Sequence, residues 1–251
     1  MTKPEPQAVR AAAGRHDAEP AFVLHAFAFR ETSLIVEAFS RNFGRVALVA
    51  KGARRPKSSL RGLLLAFQPL LLSWTGKAEL RTLTRAEWQG GQPPLPGLAL
   101  ICGFYLNELL LKLLPREDPH ERLFDCYQQA LLALAREPEP AVVLRRFELR
   151  LLTELGYALL LEREADSGAP VRPGQAYAYA PERGPLPLQD SAAAETTIEL
   201  RGKTLLDMAR DDYSDPLTQA QSKALMRLVI NHHLGGGSLH TRQLLRDLKQ
   251  L

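Results

Sequence analysis

The sequence is poor in the features that usually announce chemistry. Its 251 residues include only two cysteines, Cys102 and Cys126, both in apolar, helix-like sequence with no CxxC spacing. That excludes a disulfide framework and a cysteine-held metal, and points to buried free thiols in a reducing compartment. No run is apolar enough to span a bilayer: the strongest, Leu98 to Leu114, is interrupted by Asn107, Glu108 and Lys112. Met1 to Pro20 lacks the apolar centre of a secretion signal. The patterns GxxxxGK[ST], HExxH and GxSxG are all missing, so the signatures of ATP use, zinc peptidases and serine hydrolases are absent. His232 and His233 are adjacent and would diverge by about 100° on a helix, too far to share one metal. At a helix C-terminus they are expected in the charged form or against backbone. The acidic run Asp211-Asp212-Tyr213-Ser214-Asp215 reads as a loop facing the positive end of the next helix rather than a cation site. The expectation is a cytoplasmic, non-enzymatic chain with no cofactor.

One further absence is local. Between Glu37 and Glu79 there is no carboxylate, while Arg41, Arg45, Lys51, Arg54, Arg55, Lys57, Arg61 and Lys77 all fall there. The net charge of the whole chain is only +4, so the excess belongs to this segment. A solvated loop carrying charge for solubility is the plain explanation. A one-signed run beside strand-like sequence argues for a polyanion surface instead, because ordinary surfaces mix signs.

Secondary-structure patterning places the run. Met1 to Pro20 has no apolar period and is expected to be disordered. Strands are predicted over Phe22–Phe29, Ser33–Ser40, Arg45–Lys51, Phe67–Trp74 and Glu79–Leu83, with turn chemistry at Asn42-Phe43-Gly44 and Thr75-Gly76-Lys77. Five short strands with one long connection between the third and fourth are the layout of an OB-fold, a small barrel that binds single-stranded nucleic acid; an SH3-like barrel would share the pattern. Gly90 to Gly97 is a linker by composition. Helical periodicity follows over Leu98–Leu114, Pro119–Arg136 and Pro138–Tyr157, then Lys203–Asp211, Asp215–Leu234 and Ser238–Leu248. Residues 162–197 read as an irregular insertion with one strand-like piece, Tyr177 to Tyr179. The fold class is α+β: a nucleic-acid-binding barrel at 21–88 and a mainly helical domain at 97–251.

Within the barrel segment Phe27, Phe29, Phe39, Phe43, Phe67 and Trp74 are candidates for stacking on bases. At least four are expected in the core, with Trp74, beside Lys77, the best candidate for exposure. His25 is expected in the barrel wall. A second basic set lies near the end of the chain: Lys223, Arg227, His232, His233, Arg242 and Arg246. Lys223 and Arg227 share a helix face, and two basic surfaces would let one molecule hold two strands. The same loop would serve an RNA-binding protein equally well, since nothing in the barrel sequence distinguishes a 2′-hydroxyl.

Several strings carry a family resemblance: Arg30-Glu31-Thr32-Ser33, the run FGRVALVAKGARRPKSSLRG, Ser73-Trp74, Glu154-Leu155-Gly156-Tyr157, and SKALMRLVINHHLGGGSLHTRQLL. In these the chain, from about Phe22 to Leu248, resembles the RecO family of bacterial DNA repair and recombination mediators. The resemblance implies an N-terminal OB-fold, a helical domain and a non-enzymatic role. Its members bind single- and double-stranded DNA and anneal complementary strands without ATP. They act with RecR and remodel single-strand-binding protein so that RecA can load. Some members carry a cysteine-rich zinc motif after the Glu-Leu-Gly-Tyr string. Here that stretch, Glu162 to Gly168, has no cysteine, so no zinc is expected. The family also docks the acidic tail of single-strand-binding protein, which ends in a hydrophobic residue, on its helical domain. Arg145 or Arg146 beside Phe147 would suit such a tail.

Overall fold

The structure is a computed structural model that describes residues 14–137, 139–188 and 197–248, with side chains from 245 onward outside the description. It divides into two compact units. The first comprises the chain up to Gln92 together with Pro115–Glu121, and the second holds the rest.

Unit one is a closed five-stranded barrel. Its strands are β1 (Arg15–Phe29), β2 (Ser33–Ser40), β3 (Gly44–Ala50), β4 (Pro69–Thr75) and β5 (Leu80–Trp88), ordered β1-β2-β3-β5-β4 around the wall. Every pairing is antiparallel except β3 with β5, which closes the barrel in parallel. The expected OB-type barrel is therefore present. β1 serves both sides: Arg15 to Phe22 pair with β4, and Ala21 to Phe29 with β2, across a bulge at Val23/His25. Period-two alternation sends Ala21, Val23, Val36, Ala38, Val46, Leu48, Leu70, Leu72 and Trp74 into one core. A short helix, α1 (Leu60–Leu63), lies between β3 and β4 and adds Leu60 and Leu64 to that core.

Two strand boundaries differ from expectation by more than two residues. β1 begins at Arg15 rather than Phe22, because polar residues 15–19 gain a partner strand in β4 that local composition does not announce. The rest of the expected disordered tail, residues 1–13, lies outside the described residues. β5 continues to Trp88 instead of ending at Leu83, since Arg85, Ala86, Glu87 and Trp88 pair with β4.

Residues 115–121 fold with the barrel. Arg116 binds both Glu37 and Glu79, Arg81 pairs with Glu117 at 2.9 Å, and the Glu117 amide donates to the Arg45 carbonyl at 3.0 Å. Gly44, at φ +64°, makes the approach possible, because a Cβ there would lie 2.0 Å from the Asp118 carbonyl oxygen.

Unit two contains α2 (Gly97–Leu113), α3 (Glu121–Arg136), α4 (Pro140–Glu154), α5 (Gly202–Ala209), α6 (Pro216–His233) and α7 (His240–Leu248). Its buried apolar residues include Leu106, Leu109 and Leu110 on α2, Leu123, Tyr127 and Leu131 on α3, and Phe147, Leu151 and Leu152 on α4. α4 ends as its sequence predicts: Gly156 at φ +84° with Gly156 N–H to Thr153 and Tyr157 N–H to Leu152, a Schellman closure. Asp215 caps α6 by accepting from the Leu217 amide at 2.8 Å, with Pro216 at the first position.

The stretch read as irregular is better ordered than that. β6 (Ala176–Ala180), β7 (Gly184–Pro187) and β8 (Ile198–Arg201) form an antiparallel sheet in the order β7-β6-β8. Residues 189–196 of the insertion lie outside the described ones. Two short strands, one carrying prolines at Pro185 and Pro187, give little periodic signal. The acidic run behaves as a helix-flanking loop: Asp211 binds Arg146, Asp212 accepts from Ser214, and Asp215 both caps α6 and meets Lys203 at 2.9 Å. Both cysteines are free, and burial pushes the Cys102 thiol up to about 11.

Candidate nucleic-acid interface

The basic segment leaves the barrel at the end of β3. Ala53 is fully buried and anchors a series of tight turns, with Ala53 N–H to Ala50, Arg55 N–H to Gly52 and Ser58 N–H to Arg55. Arg54 fixes the loop to the β1–β2 turn. Its amide donates to the Thr32 carbonyl at 2.9 Å, and its Nη1 donates to the carbonyls of Arg30 and Glu31 at 3.2 Å. This brings the β1–β2 turn, and with it Arg30, beside the loop. The Arg30 guanidinium lies 5.1 Å from the Phe29 ring centre.

The cations predicted from sequence separate into two groups. Lys51, Arg55, Lys57 and Arg61 are exposed on this segment, and Lys77 is exposed in the β4–β5 turn; among the described residues they have no carboxylate partner. Arg41 instead pairs with Glu121 at 3.0 Å, and Arg45 faces Glu37 at 3.7 Å. Burial, with a smaller opposing effect of Glu37, lowers the Arg45 pKa. Arg41 and Arg45 thus help hold the barrel and its added segment together.

The aromatic assignment changes most. Trp74 is 0% exposed, not a surface residue. It continues the inward series Leu70, Leu72, Trp74 and packs against Phe43 at 5.6 Å and His16 at 5.2 Å between ring centres. Phe39 and Phe67 are buried and Phe43 packs on the core. Among the barrel's phenylalanines, Phe27 is exposed, at 44%. His25 lies in the barrel wall as expected, on β1, and after the bulge at Val23 its side chain is exposed, stacked on Phe27 at 6.1 Å. His25, Phe27 and Phe29 therefore form an outward row on β1, running toward Arg30. The odd-numbered alternation after the bulge was the available signal.

In unit two, Lys223 and Arg227 are exposed on α6. Arg227 and Arg242 come together at a cavity of about 220 Å³, lined also by Asn231 and the Gly236–Leu239 turn. Lys223 is not part of that lining, and the Arg246 side chain lies outside the described ones. Arg242 is held in place: it donates to Asn231 Oδ1 at 2.7 Å and to the Tyr105 hydroxyl at 3.0 Å. The Tyr105 hydroxyl in turn donates to Glu148 at 2.7 Å, and Glu148 also binds Arg145. Arg145 is only 9% exposed, so it is a core ion-pair partner, not a docking residue; Arg146 is exposed and bound to Asp211. His232 meets Glu182 at 2.9 Å, while His233 stacks on Tyr157 at 4.1 Å. Burial and the neighbouring His232 lower the His233 pKa, so the charged form expected there is disfavoured.

α7, which carries Arg242, is fastened by one carboxylate. Glu108 on α2 accepts from the His240 amide at 2.8 Å, the Thr241 amide at 2.9 Å and the Thr241 hydroxyl at 2.6 Å. Burial acts to raise its pKa, but these bonds and Lys112 outweigh it and the net shift is downward. The stability Glu108 confers is therefore present above its unfolded value and is lost as pH falls through the lower folded value. Acidification through and below the ordinary carboxylate range is expected to release the His240 and Thr241 amides to hydrogen exchange. In Glu108→Gln those amides should exchange with no such pH step.

Comparison with known proteins agrees with this architecture. Residues 17–91 match the family profile "Recombination protein O N terminal" and residues 97–243 match "Recombination protein O C terminal". The DNA repair protein RecO of Nitrosospira multiformis is 60% identical over 237 residues, covering 94% of this chain and 98% of the relative. Those of Aromatoleum aromaticum and Azoarcus sp. are each 56% identical, again across 94% of this chain and 98% of theirs. A barrel and a helical unit matched in turn by the family's two profiles, with relatives this similar over nearly their whole length, establish that the chain belongs to the RecO family.

Proposed function

We propose that this chain is a DNA repair and homologous-recombination mediator. It binds single- and double-stranded DNA, anneals complementary strands without ATP, and acts with RecR to help RecA load on DNA coated by single-strand-binding protein, in the cytoplasm at the nucleoid. The observation that carries this reading is the acid-free loop leaving β3. Lys51, Arg55, Lys57 and Arg61 are exposed there without carboxylate partners among the described residues, in a barrel of a RecO-family chain. Phosphates of one strand meet these cations and release counterions. Base pairing then supplies the driving force for annealing, and the protein's part is to screen the repulsion between strands. The Arg227 and Arg242 cavity supplies the second basic surface that two-strand work requires. Of Arg145 and Arg146, the exposed Arg146 is the one that meets an acidic protein tail, exchanging its Asp211 partner for it, because Arg145 is buried against Glu148.

The test is annealing of complementary DNA strands, naked and coated with single-strand-binding protein, without nucleotide. Acceleration on both substrates is expected. Acceleration of RNA strands with none of DNA would replace this reading with the RNA-binding one.

A further inference from the structure

The chain has two tryptophans, and the structure gives them opposite settings. Trp74 fills the barrel core; Trp88, at the end of β5, is 59% exposed. The indole of Trp88 is nonetheless fixed. Its Nε1 donates to Gln68 Oε1 at 3.0 Å, and its six-membered ring lies close to Gly90, where an added Cβ would stand 3.7 Å away. Its polar edge is thus satisfied within the chain and a broad apolar face remains open to solvent.

The chain leads from the basic segment into the strand beside it. Trp88 is paired with Leu70 on β4, where the basic segment returns to the barrel, and the Gln89 amide donates to the Pro69 carbonyl at 2.9 Å. α1, which carries the exposed Arg61, packs against β5. The adjacent carboxylate, Glu87, is bound to Arg85. An exposed indole held by Gln68, with its neighbouring carboxylate paired to Arg85 and the adjacent strand entered from the basic segment, fits an unpaired base whose phosphates lie on that segment.

We infer that Trp88 is a stacking platform for an unpaired base of single-stranded nucleic acid, with Arg61 meeting the adjoining phosphate. This rests on the DNA-binding reading above and assigns a role to a residue outside the aromatic row on β1. Stacking tolerates any base, so the platform adds affinity for single strands over duplex without adding sequence preference.

Tryptophan emission of the full chain, titrated with oligothymidylate at about 50 mM salt, tests it, with binding followed in parallel by the anisotropy of a dye on the oligomer. Buried Trp74 serves as the internal reference. The red, solvent-exposed part of the emission should be quenched in step with binding. Trp88→Phe should abolish that quench and bind within about threefold of the parent, while Trp88→Ala should bind about tenfold more weakly. An abasic oligomer should bind without quenching. Oligomer binding with unchanged red emission, together with full affinity in Trp88→Ala, overturns the platform and leaves the DNA-binding reading standing. No anisotropy change at that salt overturns both.

Discussion

Replacing Lys51, Arg55, Lys57 and Arg61 together with alanine is expected to weaken single-stranded DNA binding on the order of 100- to 1,000-fold at about 0.1 M salt. Each phosphate contact to a single strand contributes roughly 0.7 to the slope of log affinity against log salt, so four contacts account for about 3 units of slope. The parent, with about six contacts, should show a slope near −4, and the variant a shallow one. All four residues are exposed and have no carboxylate partner among the described residues, so the melting temperature should hardly change. Arg54 is left out on purpose: its bonds to the carbonyls of Arg30 and Glu31 make it a fastener of the loop, and its loss would confuse position with charge. Equilibrium titrations at four or five salt concentrations decide the matter. A variant that keeps the parent's slope would place the contacts elsewhere on the molecule.

Glu148→Ala is expected to destabilise the helical unit by about 3–5 kcal/mol. Glu148 is fully buried and is the partner of Arg145, itself nearly buried. Removing the carboxylate strands a guanidinium away from water, which costs far more than the pair's net contribution. At roughly 2–4 °C per kcal/mol for a unit of this size, the melting point should fall by about 6–20 °C. The companion variant separates the causes. Arg145→Met with Glu148→Leu removes both charges and should recover most of the loss, because apolar replacement of a whole buried pair is near neutral. Failure of the double variant to recover would shift the cause to Tyr105, whose hydroxyl also donates to Glu148 and accepts from Arg242. In either case Arg145 cannot be changed to probe partner docking without disturbing the core, so Arg146→Glu is the substitution for that purpose.

The barrel was legible in the sequence because its core obeys a period of two, and the helices because theirs obeys a longer one. Legibility failed where the alternation was present but outweighed by residue type. Leu70, Leu72 and Trp74 share a parity, and that parity should have put Trp74 inside despite its place beside a turn. Arg85 and Glu87 give the second half of β5 a composition that does not announce a strand, although Trp88 closes it. His25 sits in the wall as its sequence suggests, but its outward exposure follows from a bulge after Val23. Among the cations, sequence could show the missing carboxylates only within the segment. Glu121, which pairs with Arg41, lies far outside it, so free and paired cations looked alike until the fold brought them together.

The segment at 115–121 also sets a timetable. As the chain leaves the ribosome, β1 to β5 emerge first, but Arg116, which clamps Glu37 and Glu79, follows Trp88 by roughly thirty residues. At about 5–20 residues per second, that is a wait of about 2–6 s. Of the described cations that pair with Glu37 in the folded chain, only Arg45 has emerged during that interval. The clasp is therefore supplied by a stretch made after the first helix of the following unit, and a gene fragment ending at the linker would encode a barrel without it.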